Sequence, residues 1–208
     1  MGIIACRTQG LRYARGDGRE RIVARRVCPW WLGYWLASPI RRLVQDPAKV
    51  LAPYLRDGMT VLEPGPGMGF FTLALARRVG AAGRVVVVDI QPRMLAGLKR
   101  RAARAGLLGR LDVRLAASDS LGIDDLAGEV DFTLAFALVH ELPAPETFFR
   151  EIARSSKPQA GLLFVEPRGH VDAKHFDDEL QAAIKAGFQL TERPAIHRSH
   201  AAFLKLSS

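Results

Sequence analysis

A glycine-rich loop follows a short apolar segment and carries the first chemical signal in the chain. Residues 61–69 read VLEPGPGMG, in which Glu63 is followed by glycines at every second position, Gly65, Gly67 and Gly69. Glycine allows a positive φ and lets a ligand approach the backbone without meeting a Cβ atom. A dinucleotide-binding loop would read G-x-G-x-x-G, but Phe70 stands in place of its third glycine. Because the Glu63 carboxylate would repel a phosphate and attract an amine, the loop predicts a ligand with a cationic end.

Two further carboxylates follow later apolar segments. Asp89 ends the run VVVVDI, and Asp119 lies in AASDS. At the carboxyl ends of parallel strands, Asp89 can accept hydrogen bonds from two ribose hydroxyls and Asp119 can accept one from an exocyclic amine. Taken singly, these residues would be ordinary solvated or turn-forming carboxylates, and the glycines an ordinary turn. Together they describe a ligand with a cationic amino acid, a ribose and an adenine, which is S-adenosylmethionine.

Alternating apolar runs and helical patterns predict the fold that positions these residues. The predicted strands are Val- and Leu-rich runs bounded by Gly, Pro or Asp, and they lie at 59–64, 84–90, 111–117, 130–138 and 161–167. Helical periodicity falls between the strands and again over 173–188, after which two apolar runs without an intervening helix predict a hairpin. The order predicts an α/β fold, doubly wound and Rossmann-like, with a mostly parallel sheet, helices on both faces and an antiparallel terminal strand.

The N-terminal part of the chain departs from this pattern. Residues 28–58 predict a helical cap, broken at Pro39 and Pro47, which must pack on the sheet domain of residues 59–208. Residues 1–27 hold seven arginines against two acidic residues, and therefore +5 of the formal net charge of +9. This basic arm fits an electrostatic patch for nucleic acid, but it lacks apolar periodicity and aromatic interleaving. The pattern favours an arm that is flexible or not part of the native fold.

The ordered motifs resemble those of the class I S-adenosylmethionine-dependent methyltransferases. LEPGPGMG is similar to their glycine-rich motif, VVVVDIQPRML to the second-strand acidic motif, AASDS to the adenine-side motif, DFTLAFALVHELP to the fourth-strand motif and LLFVEPRGH to the fifth-strand motif. The resemblance covers about residues 58–206 and implies a seven-stranded sheet whose last strand is inserted antiparallel. Where the family has LKPGG, this chain has SKPQAG, in which Gly161 alone is expected to retain the turn.

The resemblance also implies a cofactor, a product and a type of acceptor. The cofactor is S-adenosylmethionine and the product S-adenosylhomocysteine. The stretch FALVHELPAPETFFREIARSSKPQAGLLFVEP most resembles the branch with the ubiquinone/menaquinone C-methyltransferases and many small-molecule enzymes, so a small-molecule acceptor is expected. The residues implied in cofactor binding lie in four of the motifs and are Glu63, Gly65, Pro66, Gly67, Gly69, Asp89, Ile90, Met94, Ser118, Asp119, Ser120 and Phe136.

Candidates for the acceptor side follow the fourth and fifth predicted strands. Either His140 or Glu141 can act as a general base, His140 being better matched to neutral pH. The alternative is that His140 packs beneath the cofactor and Glu141 caps the next segment, since methyl transfer chiefly needs an in-line nucleophile held close. Glu166 and His170 are candidate substrate-pocket residues, and Glu166 is expected to point inward. Their spacing with His175 demands no metal, and none is predicted.

The segment PWWLGYWL places aromatic residues at helical spacing ahead of the first predicted strand. Packing against the sheet would account for them. In the resembling family, however, the segment before the first strand often covers the cofactor and shapes the acceptor pocket. Trp31, Tyr34 and Trp35 are therefore also substrate-pocket candidates, next to an apolar or planar acceptor.

Two other functions stay open on the sequence alone. The basic composition suggests a methyltransferase acting on RNA or protein, although the fourth strand lacks the Asn/Asp-Pro-Pro-aromatic motif that holds a nucleobase amine. Nucleic acid is therefore not favoured as a partner. The other alternative is a non-catalytic S-adenosylmethionine-binding protein. The acceptor atom and the oligomeric state are not predicted.

Composition disfavours several other classes. No apolar run approaches the roughly 18 residues of a membrane span, and the N-terminus lacks the apolar segment of a secretory signal. The protein is therefore expected to be cytoplasmic, without a membrane partner. Cys6 and Cys28 have neither a second Cys nor a His at metal-ligand spacing, which disfavours a disulfide framework, a structural zinc and an arsenite-type methyltransferase.

Overall fold

The computed structural model describes residues 9–13, 21–25, 46–117 and 119–208. Within the arginine-rich segment, strand β1 (Gln9–Tyr13) pairs antiparallel with strand β2 (Arg21–Arg25). The sequence pattern does not predict this pair of strands. The placement of the arm outside the native fold stays a prediction, and most of the predicted helical cap lies outside the described residues.

A seven-stranded sheet forms the centre of the described domain. Its strands are β3 (Thr60–Pro64), β4 (Arg84–Asp89), β5 (Leu111–Leu115), β6 (Val130–Phe136), β7 (Ser156–Pro167), β8 (Phe188–Glu192) and β9 (Ser199–Leu206). They lie in the order β5-β4-β3-β6-β7-β9-β8. Strands β3 to β7 pair in parallel, whereas β9 runs antiparallel to both of its neighbours, β7 and β8. The predicted fold class is confirmed, including the insertion of the last strand between two others.

Helices cover both faces of the sheet. Those that the structure describes are α1 (Pro47–Leu51), α2 (Thr72–Arg78), α3 (Pro92–Arg104), α4 (Pro145–Ser155) and α5 (Ala173–Lys185). Val85 and Val87 of β4 pack in the core that contains residues of α1, α2 and α3, while Val86 and Val88 pack in the core of α4 and α5. Side chains alternate across a strand, so a continuous valine run indicates burial on both faces, as predicted. None of the helices in the described part of the chain is long and apolar enough to cross a membrane.

Strand β7 begins earlier than the sequence pattern predicts, and the expected turn glycine has another role. The strand begins at Ser156, directly after α4, and its pairing with β6 shifts register between Val130 and Phe132. A positive φ occurs two residues earlier, at Gln159, with φ 63°. A Cβ atom at Gly161 would lie 2.9 Å from the ring of Phe203. The prediction of a turn at Gly161 is therefore wrong, because this glycine is required for close packing inside the strand.

Candidate active site

A cavity of about 610 Å³ opens at the carboxyl ends of β3, β4 and β6. The predicted cofactor residues that line it are Glu63, Gly65, Pro66, Gly67, Asp89, Ile90, Met94, Asp119, Ser120 and Phe136. Gly69 does not line the cavity, and Ser118 lies outside the described residues. Much of the remaining wall is apolar, with Phe70, Phe71 and Leu138 among its residues. The volume is in the range of sites for drug-sized ligands.

The three glycines of the loop serve different purposes, although all have positive φ: 67° at Gly65, 54° at Gly67 and 82° at Gly69. The Gly65 N–H donates to the Val88 carbonyl at 2.8 Å, which ties the loop to β4. A Cβ atom at Gly69 would collide with Cδ1 of Leu98 on α3, whereas one at Gly67 would meet no atom within 4 Å. Since Gly67 lines the cavity, its missing side chain leaves that space open to a ligand.

We expect the two substitutions Gly69→Ala and Gly67→Ala to separate folding from binding. Gly69→Ala should lower the free energy of unfolding by about 2–5 kcal/mol, because it adds a collision with the buried Leu98 to an unfavourable φ. Gly67→Ala has only the backbone cost of about 1–2 kcal/mol, but its methyl group enters the cavity and should weaken ligand binding more. Urea unfolding and ligand titration of both variants measure this. Greater destabilisation by Gly67→Ala than by Gly69→Ala would contradict it.

Glu63 is a buried carboxyl in the cavity wall. It lies in β3, is 4% exposed, and its Oε2 accepts a hydrogen bond of 2.5 Å from Thr72 Oγ1. Burial raises the pKa of Glu63 to about 8; the Thr72 hydrogen bond opposes this rise and the charge of Asp89 adds to it. Among the described residues, no lysine, arginine or histidine forms an ion pair with this carboxyl. A cationic group bound in the cavity would supply the missing partner.

Asp89 is held at the end of β4 by the backbone around it. The residue is 9% exposed, and its Oδ1 accepts a hydrogen bond of 2.8 Å from the Gln91 N–H. Burial raises the pKa of Asp89 to about 6, and backbone hydrogen bonds from Gln91, Gly67 and Ile90 oppose the rise. A carboxylate has about four lone-pair sites, so this one can still accept hydrogen bonds from ligand hydroxyls.

Glu151 also lines the cavity, although no sequence motif points to it. It lies on α4 and is 8% exposed, and its Oε2 accepts a hydrogen bond of 2.7 Å from the Leu121 N–H. This bond ties α4 to the loop that carries Asp119 and Ser120. The two partners are separated by 30 residues in sequence, and no local motif connects them.

The two candidate bases after β6 have different environments. Glu141 lines the cavity, whereas His140 does not, because His140 Nδ1 lies 2.6 Å from Oε2 of Glu166. Glu166 is fully buried, and its Oε1 accepts the N–H groups of Leu138 at 3.2 Å and Val139 at 2.7 Å. Glu166 therefore points at the turn that carries Glu141, and neither it nor His140 lies in the cavity wall.

Of the remaining substrate-pocket candidates only His170 is among the described residues, and it does not line the cavity. His170 is exposed, and its ring stands edge-on to that of His140 with the centroids 5.6 Å apart. Trp31, Tyr34 and Trp35 lie outside the described residues. Their roles stay predictions. Within the described part of the chain, no cluster of three or more His, Cys, Asp or Glu side chains could hold a metal ion.

The electrostatics favour Glu141 over His140 as a base. Burial raises the pKa of Glu141 to about 7; the charge of His140 opposes this rise, and the charges of Glu166 and Asp89 add to it. For His140, burial lowers the pKa, but the hydrogen bond to Glu166 and the charges of Glu166, Glu141 and Glu179 outweigh burial, so the pKa rises overall. A ring whose Nδ1 is already paired with Glu166 and which does not line the cavity is poorly placed to take a proton from it.

The cavity wall fits S-adenosylmethionine. Buried Glu63 offers an anionic partner for the amino group, Asp89 an acceptor for the ribose hydroxyls, and Asp119 lies in the wall for the adenine. The open space at Gly67 leaves room for the ligand beside the backbone. A seven-stranded sheet of this order, with this site at its carboxyl edge, defines a Rossmann-like methyltransferase domain.

Known proteins agree with this definition. Residues 61–159 match the family model described as a methyltransferase domain. The ubiquinone/menaquinone biosynthesis C-methyltransferase UbiE of Hydrogenovibrio crunogenus is 31% identical over 112 residues, which cover 54% of this chain and 43% of that protein. A SAM-dependent methyltransferase from Aquifex aeolicus has a TM-score of 0.77 at 25% identity, covering 86% of this chain and 100% of the other. Residues 61–159 are therefore a methyltransferase domain, and this family and the fold imply S-adenosylmethionine as its cofactor.

The similarity to the curated relatives is partial. The chain spans less than half the length of the UbiE relative that it matches. The [4+2]-cyclase SpnF has the same fold, with a TM-score of 0.64 and 17% identity, covering 77% of this chain and 79% of that protein. Because a cyclase shares the fold, the fold alone does not specify the reaction.

We expect cofactor binding to release a proton near neutral pH. With a pKa of about 8, Glu63 is largely protonated at pH 7 in the free protein, and a bound cationic amine favours its ionised form. The affinity for S-adenosylmethionine should therefore rise by up to about tenfold per pH unit from about pH 6 to about pH 7.5. The rise should end near pH 8, where an α-amino group loses its own proton.

Calorimetric titration in buffers of different ionisation enthalpy measures this proton release. Glu63→Gln retains the shape of the side chain but cannot titrate, so the released proton should disappear in that variant. Equal proton release by the wild type and Glu63→Gln would contradict the assignment.

Proposed function

We propose that the protein transfers a methyl group from S-adenosylmethionine to a small-molecule acceptor. The observation that carries the proposal is the composition of one cavity. The two buried carboxyls suited to the cofactor, Glu63 and Asp89, share it with an apolar wall and the half-buried carboxyl of Glu141. Cofactor and acceptor can therefore occupy the same enclosed space, which in-line transfer requires.

The apolar wall supports an acceptor with an apolar or planar body. Phe71 and Phe136 have ring centroids 4.4 Å apart, and Phe70 stands edge-on to Phe71 at 5.2 Å. Aromatic rings packed in this way form a rigid surface that excludes water. The relative from Hydrogenovibrio crunogenus is named for C-methylation in quinone biosynthesis, which is consistent with such an acceptor.

Each of the polar residues has a distinct role in the proposed reaction. When bound, the cofactor supplies an electrophilic methyl group that undergoes in-line displacement and leaves S-adenosylhomocysteine. Glu63 binds the amino group and Asp89 orients the ribose. Glu141 accepts the proton that the acceptor loses, for which a pKa of about 7 is well matched to neutral pH. His140 and Glu166 hold the turn that carries Glu141.

A binding measurement followed by a product screen tests the proposal. The full-length protein is titrated with S-adenosylmethionine by calorimetry, and release of S-adenosylhomocysteine is then measured over a panel of metabolites, RNA and protein. We expect micromolar binding and turnover confined to small molecules. Turnover only with RNA or protein would favour the alternative acceptors, and tight binding without turnover would favour a non-catalytic role or another reaction.

A further inference from the structure

The charged residues of the described cavity wall are all acidic. They are Glu63, Asp89, Asp119, Glu141 and Glu151, and no lysine, arginine or histidine lies among the described lining residues. Cationic side chains are available at the same edge of the sheet: Arg168 and Arg193 line a different cleft, beside the start of β9. The acidic character therefore belongs to the cavity itself.

Three of these carboxyls already have a hydrogen-bond donor from the protein. Glu63 accepts from Thr72, Asp89 from Gln91 and Glu151 from Leu121. The structure gives no such donor to the side chains of Asp119 and Glu141 from any described residue. Asp119 is exposed and lies on the predicted adenine side, in the loop after β5. Glu141, in contrast, has no assigned role in binding the cofactor.

The surroundings of Glu141 keep its charge directed into the cavity. It lies on a short 3-10 turn, Val139–Glu141, directly after β6. His140 of the same turn is paired with Glu166 of β7, whose carboxylate offsets the positive charge that the ring carries when it is protonated. Asp89 of β4 adds a second negative charge that acts on Glu141. An anionic group that enters beside Glu141 therefore meets like charges in a partly desolvated space.

We infer that the acceptor is a molecule with an apolar body that binds uncharged or as a protonated amine, and that Glu141 excludes acceptors bearing a carboxylate or phosphate. A protonated amine becomes the nucleophile only after it has lost its proton, which Glu141 can accept. The inference rests on the proposed function and deepens it. An amine, a hydroxyl or an activated carbon on an aromatic or aliphatic body meets these conditions. A like charge close to a partly buried carboxylate costs at least about tenfold in binding, even with substantial solvent screening.

Three nearly isosteric probes test the charge preference. These are 2-phenylethylamine, 2-phenylethanol and phenylacetate, which are cationic, neutral and anionic. Their dissociation constants are measured by ligand-observed NMR on the full-length protein saturated with S-adenosylhomocysteine, at pH 8, where Glu141 is ionised. We expect the amine and the alcohol to bind at least about tenfold more tightly than phenylacetate.

The variants make the test specific to Glu141. In Glu141→Gln the difference between phenylacetate and phenylethanol should shrink to about threefold or less, because the nearest charge is removed. Glu146→Gln is the matched control: Glu146 is exposed on α4 and does not line the cavity, so this variant should retain the wild-type order. Phenylacetate binding as tightly as the alcohol, an unchanged order in Glu141→Gln, or no binding by any probe overturns the inference.

These outcomes are distinct from failure of the proposed function. If S-adenosylhomocysteine is not released with any acceptor while the charge order of the probes holds, the reaction is wrong and the charge selectivity of the cavity stands. If turnover occurs and includes carboxylate acceptors at comparable rates, methyl transfer stands and the acceptor class is wrong.

Discussion

Replacing Asp89 with alanine should lower the affinity for S-adenosylmethionine by about a hundredfold. A carboxylate that accepts hydrogen bonds from two ribose hydroxyls makes two charge-assisted contacts, and losing both is worth roughly 3 kcal/mol. The side chain is 9% exposed, so water cannot fully replace it. Calorimetric titration of the wild type and the variant measures the change.

Two comparisons show whether the loss arises from the ligand contact. Asp89→Asn retains an oxygen that can accept from the Gln91 N–H, so the turn should persist, and the affinity should fall only about tenfold. Asp124→Ala removes an exposed carboxylate elsewhere on the domain and should bind as the wild type does. An Asp89→Ala variant that binds within threefold of the wild type, with an unchanged melting temperature, would remove Asp89 from the cofactor site.

Of the substitutions proposed here, Glu166→Ala should cause one of the largest losses in the free energy of unfolding. The fully buried carboxylate accepts from three groups, the N–H groups of Leu138 and Val139 and the ring of His140. Its removal leaves these buried and part-buried donors without this partner, which costs about 3–5 kcal/mol and lowers the melting temperature by roughly 10 °C. Glu166→Gln retains an acceptor oxygen for the backbone and should cost about 1–2 kcal/mol. Chemical denaturation of both variants measures these losses.

The stability difference between the wild type and Glu166→Gln should depend on pH. Because the folded-state pKa of His140 is raised, the pair with Glu166 contributes fully below about pH 6.5 and its contribution is lost as pH rises through the folded-state value. As pH rises, Glu141 and Glu179 ionise and are repelled by the charge of Glu166. This repulsion destabilises the wild type but not Glu166→Gln, so it also makes the difference smaller at high pH. The difference should therefore be larger at pH 6 than at pH 9. A pH-independent difference would contradict the ion pair, and Glu146→Gln is the control for general charge effects.

Features that depend on neighbouring residues were predictable from the sequence. The glycine loop, Glu63 and Asp89 are fixed by the end of a strand and the turn after it, so local pattern was sufficient to place them. The valine run of β4 predicts a strand that is buried on both faces. The resemblance carried by the ordered motifs implies that the last strand is inserted between two others. These elements account for the part of the cavity wall that the sequence assigns to the cofactor.

Features that depend on distant packing were not predictable. Nothing in the sequence near His140 shows that its ring turns away from the cavity, because the cause is Glu166, 26 residues further on. Glu151 reaches Leu121 across 30 residues in the same way. Gly161 was expected to form a turn, but the reason for glycine there is the ring of Phe203 on β9. In each case the deciding partner comes from another strand or helix.

The position of β9 also constrains how the chain can assemble. Strand β8 lies at the edge of the sheet and pairs only with β9 in the described sheet, yet β9 follows it in sequence. During synthesis β8 therefore emerges from the ribosome before the strand that it needs, and this edge cannot close until residues 199–206 have been made. Until then, α5 and β8 are expected to remain partly exposed. This edge is thus expected to be the last part of the sheet to form.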